Sequence, residues 1–174
     1  MGVDPSQLRI VLYPHPALRR VARPIEQVTD DVRKVALRMQ QLMHDARGVG
    51  LAAPQVGLSW RLFVTAPPDA PDQGMVLINP VLSDPSRDLA EYEEGCLSLP
   101  EITGQIQRPR SITIDALGLD GSKIHLSSDE MPSRIWQHEV DHLDGTLIID
   151  RMTPIDKLAN RRSLRELEGK ERRA

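Results

Sequence analysis

The sequence predicts an α+β fold with strand-like segments, an antiparallel hairpin and a helix that contains QHEVDH (137–142). Helix-like and strand-like segments do not alternate strictly along the chain, as they do in doubly wound α/β proteins. Residues 111–126 alternate in hydrophobicity around a turn, which predicts an antiparallel hairpin. The 174 residues suffice for one domain with a sizeable core. We expect a single domain over residues 1–174 with a charged tail at about 156–174.

One helix is predicted in the N-terminal half. From Thr29 onward, apolar residues recur at spacings of three and four, which is typical of an amphipathic helix. Thr29 or Asp30 can cap its start and Gly48 can end it. The other predicted elements of this half are strands at 9–13, 61–65 and 75–79 and a loop at 67–74.

The C-terminal half is predicted to contain a hairpin, a helix and a tail. Asp120-Gly121 is a favoured hairpin turn within 111–126. Ser128 or Asp129 can cap the next helix, which has Pro132 in its first turn and stops at Gly145. Beyond it we predict a core strand at 146–150 and a charged helix from Asp156 that frays toward Ala174.

Composition excludes several classes of protein. A net charge of -3 provides no strong field for nucleic acid, so no specific nucleic-acid partner is expected. No run of about 18 apolar residues predicts a membrane span, and the N-terminus lacks the pattern of a signal peptide. The lone Cys96 fits a reducing compartment. We therefore expect a cytoplasmic protein.

The C-terminal tail has a different charge from the rest of the chain. Residues 157–174 carry a net charge of +4, which leaves -7 for residues 1–156. The tail is either a solvated helix or a segment that docks on an anionic surface such as a ribosome.

QHEVDH presents two histidines four residues apart. On a helix, His138 and His142 lie on one face and can bind one ion. Glu139 is then placed to meet a water on that ion without being a ligand, as in hydrolytic H-E-x-x-H sites. The pattern alone is also compatible with a helix that carries two solvated histidines.

A catalytic site of this kind needs a third protein ligand. Ile148 stands where one metalloprotease pattern requires a histidine, and the glutamates at 166, 168 and 171 lie in the charged tail. Cys96, in EEGCLSLPE (93–101), has three interpretations: a buried structural cysteine, a nucleophilic thiolate, or the third metal ligand.

Three separated stretches resemble the signature motifs of the peptide deformylase family. They are GVGLAAPQ (48–55), EGCLS (94–98) and QHEVDHLDG (137–145). The order and spacing also resemble that family, over about residues 8–151. The resemblance implies an α+β catalytic domain in which small antiparallel β-sheets pack around the metal-binding helix. It also implies that this domain removes the formyl group from N-terminal formylmethionine of new polypeptides and releases formate.

The resemblance also implies roles for individual residues. The metal ligands fall on Cys96, His138 and His142, the general base on Glu139, and the group that polarises the formyl carbonyl on Gln55. One divalent ion per chain is implied, with Fe(II) as the physiological metal and Zn(II), Ni(II) or Co(II) also accommodated. Thr103-Gly104 departs from the Arg-Gly pair of many members, which affects the expected contacts to the downstream peptide.

Four further residues are assigned to the site. The backbone N–H of Leu97 is suited to hold the developing oxyanion beside Gln55. Gly50 and Gly95 permit close approach of a substrate chain, although a simple loop also explains such glycines. Ile135, one turn before His138, is a candidate wall of the methionine pocket.

Two other function classes are compatible with the histidine pattern. An endopeptidase would use the same water chemistry on an internal peptide bond. A non-enzymatic metal or thiol-redox protein would have a closed site. A single cysteine and a glutamate placed as a base disfavour the redox alternative.

Overall fold

The computed structural model describes residues 3–67 and 73–171. Within that part, the helices are α1 (Asp30–Asp45), α2 (Met131–Leu143), α3 (Ile148–Arg151), α4 (Pro154–Ala159) and α5 (Arg161–Glu171). The strands are β1 (Gly50–Ala52), β2 (Leu62–Thr65), β3 (Met75–Ser83), β4 (Leu89–Cys96), β5 (Leu99–Pro109), β6 (Ile112–Leu117) and β7 (Lys123–Ser128). Short 3-10 helices lie at Pro5–Gln7, Pro16–Arg19 and Ala53–Val56.

The strands form two antiparallel sheets. The larger has five strands in the order β1-β2-β3-β6-β7, and the smaller is the β4–β5 hairpin. Helix α2 contacts β1, β2, β6 and β7. The predicted α+β class, with antiparallel sheets around the QHEVDH helix, is confirmed.

The buried face of α2 is fixed by residues one helical turn apart. Trp136, Val140 and Leu143 pack into a core cluster with sheet residues such as Phe63 and Leu77. Each side chain of this size that is buried contributes roughly 1.5–3 kcal/mol to folding. Burying this face turns the His138 and His142 side of the helix toward the β4–β5 hairpin.

Helix α1 begins where the sequence predicts, but the residue that terminates it lies one position before the predicted Gly48. The Thr29 side chain accepts a hydrogen bond from the N–H of Val32, so Thr29 is the N-cap. At the other end the N–H of Gly48 donates to the carbonyl of Met43, and that of Arg47 to His44. This is a Schellman ending in which Arg47, and not Gly48, adopts the left-handed conformation.

Two predicted strands are wrong. Residues 9–13 form no strand and end in a turn at Tyr13, because the N–H of Val11 donates to the carbonyl of Gln55 and that of Tyr13 to Ser98, on two different segments. Residues 146–150 contain the start of α3. There the Asp150 carboxylate accepts from the N–H of Leu147 and caps a helical turn.

The predicted hairpin at 111–126 is confirmed, and the start of α2 differs from the prediction. The helix begins at Met131 with Glu130 as N-cap, and no side chain caps it. Ser128 instead accepts from the N–H of Glu130, before the helix starts.

The C-terminal segment is more firmly attached than a solvated tail. It forms two helices, α4 and α5, and not one. Leu167 is buried in a cluster with Leu18 and Leu99, and the Tyr13 hydroxyl donates to Glu168. The predicted fraying toward Ala174 and the central part of the predicted loop (68–72) lie outside the described residues.

Candidate active site

The three predicted metal ligands come together in the structure. Cys96 is the last residue of β4, while His138 and His142 lie one turn apart on α2. Their ligand atoms lie within 4.8 Å of one another, and Cys96 Sγ is 3.3 Å from His142 Nε2. A thiolate and two imidazoles form a donor set suited to a divalent transition metal and leave a position open for water.

The surroundings of the two histidines fit metal binding. His138 Nδ1 lies 3.0 Å from the Glu94 carboxylate, which orients the ring and leaves Nε2 for an ion. Burial holds the pKa of His142 well below its usual value, so this imidazole is neutral. A neutral imidazole has one ring nitrogen with a lone pair for an ion, and Nε2 is the nitrogen that lies beside Cys96.

A buried ion network surrounds Glu94. Arg108 donates twice to this carboxylate, at 2.7 and 2.9 Å, and Arg134 donates to it at 2.6 Å. Arg108 also donates to Asp141 of α2 at 2.8 Å. Although burial raises it, hydrogen bonds from Arg108 and His138 hold the pKa of Glu94 well below its usual range. The network joins β4, β5 and α2 behind the ligands.

Glu139 lies in a contrasting environment. Its Oε2 atom is buried and has no hydrogen-bond partner among the described residues. Burial raises the pKa of Glu139 to about 7 despite the positive charges of His138 and Arg108. A carboxylate with a pKa near neutrality is suited to accept and return a proton.

Gly50 makes room for this carboxylate. A Cβ atom at position 50 would lie 2.3 Å from Glu139 Oε1. At Gly48 a Cβ would lie 2.6 Å from Leu97 Cδ1, whereas at Gly95 its nearest neighbour would be Thr103 Cγ2 at 3.6 Å. A side chain at either of the first two positions would therefore displace a side chain of the site, Glu139 or Leu97.

Gln55 is held with its amide nitrogen toward the ligands. Its Oε1 accepts from the N–H of Ala52 at 2.9 Å, so Nε2 points away, 3.2 Å from Ser98 Oγ and 3.5 Å from Cys96 Sγ. The side chain is buried. Its donor is thus oriented beside Cys96 before any substrate binds.

A cavity of about 360 Å³ opens onto these groups. Its walls include all of the predicted site residues except His142. Sequence reasoning did not identify seven others: Arg47, Val49, Tyr92, Glu93, Glu94, Met131 and Arg134. Glu94 was within reach of sequence reasoning, since it begins the EGCLS motif. Arg134 lies under the Tyr92 ring, 5.6 Å from its centroid, a contact between β4 and α2 that only the fold creates.

Comparison with known proteins agrees with this geometry. The family model described as polypeptide deformylase matches residues 7–158. The chain belongs to the peptide deformylase family. It is accordingly a hydrolase that removes the N-formyl group of N-terminal formylmethionine.

Several members of the peptide deformylase family are similar to this chain. The peptide deformylase of Rhodopirellula baltica is 41% identical over 165 residues, which cover 93% of this chain and 78% of that protein. A chloroplastic/mitochondrial peptide deformylase of Arabidopsis thaliana is 40% identical over 95% of this chain, which spans only 61% of the plant protein.

A solved structure extends the similarity to the whole fold. The peptide deformylase of Plasmodium falciparum superimposes with a TM-score of 0.91 at 37% identity, covering 95% of this chain and 98% of that one.

No helix within residues 3–67 and 73–171 is long and apolar enough to cross a membrane.

Proposed function

We propose that Cys96, His138 and His142 hold one divalent metal ion and that the groups around it hydrolyse the formyl amide. The proposal is carried by the convergence of a thiolate and two imidazoles beside a buried glutamate with an unpaired oxygen. A bound divalent ion supplies Lewis acidity and lowers the pKa of a water that it coordinates.

Glu139 is the proposed general base and acid. Its carboxylate takes a proton from the attacking water and returns one to the leaving amine of methionine. The unpaired Oε2 is available for this exchange, because no other described side chain occupies it. Its burial excludes bulk water that would compete for the proton.

Gln55 and Leu97 are the proposed oxyanion donors. Negative charge develops on the formyl oxygen as water attacks the carbon. The Gln55 amide and the backbone N–H of Leu97 donate to it, and one such preoriented donor is worth about 3–4 kcal/mol. The N–H of Ala52 contributes indirectly by fixing the orientation of the Gln55 amide.

Two strand edges are available for the substrate chain. Strand β1 is the edge of the larger sheet, β4 pairs only with β5 among the described strands, and both contribute cavity residues, Gly50 and Gly95 among them. We expect the peptide to add as an extended strand at this cleft. Ile135, with Tyr92 and Met131, forms the wall that receives the methionine side chain.

The strand segment Thr103-Gly104, which departs from the Arg-Gly pair of many family members, is contacted by the C-terminal segment of this chain. The carbonyl of Thr103 accepts from Asn160 at 2.7 Å, so the C-terminal helices lie against this strand. Thr103 does not line the described cavity. Contacts to the peptide beyond methionine must therefore come from other residues.

A matched pair of substrates tests the proposed function. The protein should release formate from formyl-Met peptides and act at least about 10²-fold more slowly on acetyl-Met peptides, because the extra methyl displaces the carbonyl by about 1 Å. Cys96→Ala should lower metal content well below one ion per chain. Full metal content and activity in that variant, or equal rates on both peptides, would contradict the assignment. Cleavage of a long internal peptide would favour the endopeptidase alternative.

We propose the cytoplasm as the location of the protein. Fe(II) is the proposed physiological metal, with Zn(II), Ni(II) or Co(II) as substitutes. A Cys-His-His set binds all four ions. Fe(II) and its thiolate are both oxidisable, so activity of the iron form should decay in air. Metal analysis of protein purified without oxygen decides between the ions.

Docking to a ribosome is proposed for the C-terminal helices. Arg161, Arg162 and Arg165 are exposed around one surface depression, next to the exposed Leu158. Replacing the three arginines with glutamine should weaken co-sedimentation with ribosomes in a salt-dependent way and spare hydrolysis of free peptides. Unchanged sedimentation would refute the docking.

A further inference from the structure

Arg47 occupies an unusual backbone position at the mouth of the cavity. It is the residue after the C-cap of α1 and has a φ of 56°. Glycine is the usual residue at this point of a Schellman ending, because a Cβ is sterically unfavourable in the left-handed region. The chain therefore tolerates an unfavourable residue type at a position where the peptide would approach.

The charge of Arg47 is not used within the described part of the protein. None of the ion pairs there includes Arg47, and its side chain is exposed. Arg134, the other arginine on the cavity wall, forms an ion pair with Glu94. Arg47 is thus the cation of this wall that is available to a ligand.

The walls of the mouth differ in charge. Arg47 belongs to the segment that joins α1 to β1, whereas the exposed carboxylate on the cavity wall, Glu93, belongs to β4. The negative charge of Glu94 is paired with Arg108 and Arg134, and Glu139 is buried among the reacting groups. A substrate side chain that leaves the methionine pocket therefore meets a positive group on one side and a negative group on the other.

We propose that Arg47 determines specificity by favouring formyl-Met peptides that carry an acidic side chain in the first two residues after methionine. The inference depends on the proposed function, since it concerns the same cleft. Successive residues of an extended chain are about 3.3 Å apart. Those two residues leave the cavity at its mouth, within reach of a long arginine side chain. The guanidinium pairs with a carboxylate in two parallel hydrogen bonds.

A competing explanation is that Arg47 only stabilises α1. A cation near a helix C-terminus interacts favourably with the helix dipole. That explanation predicts a change in thermal stability and no change in substrate preference. Arg47→Gly separates the two, because glycine suits the left-handed position while it removes the charge. We expect its melting temperature to stay equal or rise and its preference for acidic peptides to disappear.

The test uses three C-terminally amidated peptides, formyl-Met-Ala-Ser, formyl-Met-Asp-Ser and formyl-Met-Lys-Ser, and measures formate release by the metal-loaded enzyme. For an exposed pair, we expect kcat/KM to be about two- to fivefold higher for the Asp than for the Lys peptide, mostly through KM. Arg47→Lys should keep the preference, Arg47→Ala should abolish it, and Arg47→Glu should invert it. Glu93→Gln should increase it, since the repelling carboxylate is gone.

Arg87→Ala is the matched control, because Arg87 is an exposed arginine that does not line the cavity. It should leave the Asp to Lys ratio unchanged. Equal kcat/KM values for the charged peptides in the wild type, or a preference that survives Arg47→Ala, would overturn the inference. No formate from any of the three peptides would instead contradict the proposed function.

Discussion

Glu94 and Glu139 are both buried beside His138, yet the protein surrounds them in opposite ways. Glu94, on β4, accepts hydrogen bonds from Arg108 and Arg134 and lies against His138. Glu139, on α2, has an oxygen with no partner among the described residues. The paired carboxylate stays ionised and orients a ligand, whereas the unpaired one has a pKa raised to about 7 and can exchange a proton. Environment, and not residue type, assigns the two roles.

The largest effect on stability is expected when the ion pairs of the paired carboxylate, Glu94, are disrupted. Arg108→Met removes a buried guanidinium from Glu94 and Asp141 and leaves their charges undercompensated. We expect the free energy of unfolding to fall by about 3–5 kcal/mol. Denaturant unfolding measures it.

Arg151→Ala is the matched control, since Arg151 also pairs with Asp141 but is exposed. It should cost about 1 kcal/mol or less. Equal losses in both variants would show that burial does not govern the strength of this network.

Gly50→Ala tests the role of the unpaired carboxylate, Glu139. The new Cβ would lie 2.3 Å from Glu139 Oε1, so the carboxylate must move. We expect kcat/KM for a formyl-Met peptide to fall roughly 10- to 100-fold, because a displacement of about 1 Å in a reacting group costs that much.

Gly169→Ala serves as the control for this substitution. A Cβ at Gly169 meets no atom within 4 Å, and the change favours the helix. Activity should therefore be unchanged there. Wild-type kinetics in Gly50→Ala would mean that the position of the Glu139 carboxylate is not critical.

A smaller effect is expected at a carboxylate that is paired but half exposed. Asp150 pairs with Arg19, and the hydrogen bonds from Arg19 and Leu147 lower the pKa of Asp150 although burial raises it. Because the folded-state pKa is depressed, the stabilisation is present above the unfolded-state pKa and is lost as the pH falls through the folded-state value. Asp150→Asn should cost about 0.5–1 kcal/mol at neutral pH.

The pH series itself is the control for Asp150→Asn. The difference from wild type in unfolding free energy should shrink below about pH 4, the usual pKa of an aspartate. A difference that is constant from neutral to acidic pH would indicate loss of the Leu147 cap instead of loss of the charge.

The sequence was sufficient where the information is local. The cap at Thr29, the Asp120-Gly121 hairpin and the histidine spacing on α2 follow from neighbouring residues. Residues 146–150 were predicted as a strand because their apolar run suits either structure, and the Asp150 cap decided for a helix. The prediction that this apolar run lies in the core was right, since Leu147 and Ile148 are buried.

The missed parts of the site depend on contacts between distant segments. Arg108 is 14 residues from Glu94 and 33 from Asp141, and nothing in its own neighbourhood marks it as a buried partner. In the sequence, Arg47 lies next to Gly48, which is predicted to end a helix. Its importance emerges only because the mouth of the cavity forms beside it.

The central claim is that Glu139 exchanges the proton while Glu94 positions His138, and one paired measurement tests it directly: bound metal and turnover of Glu139→Gln and Glu94→Gln. Glu139→Gln should keep one ion per chain and lose about 10²-fold or more in turnover, because the amide cannot accept the proton. Glu94→Gln should lose about 10- to 100-fold in metal affinity, the usual cost of removing a group that orients a ligand. Wild-type turnover in Glu139→Gln, or loss of its metal, would contradict the account.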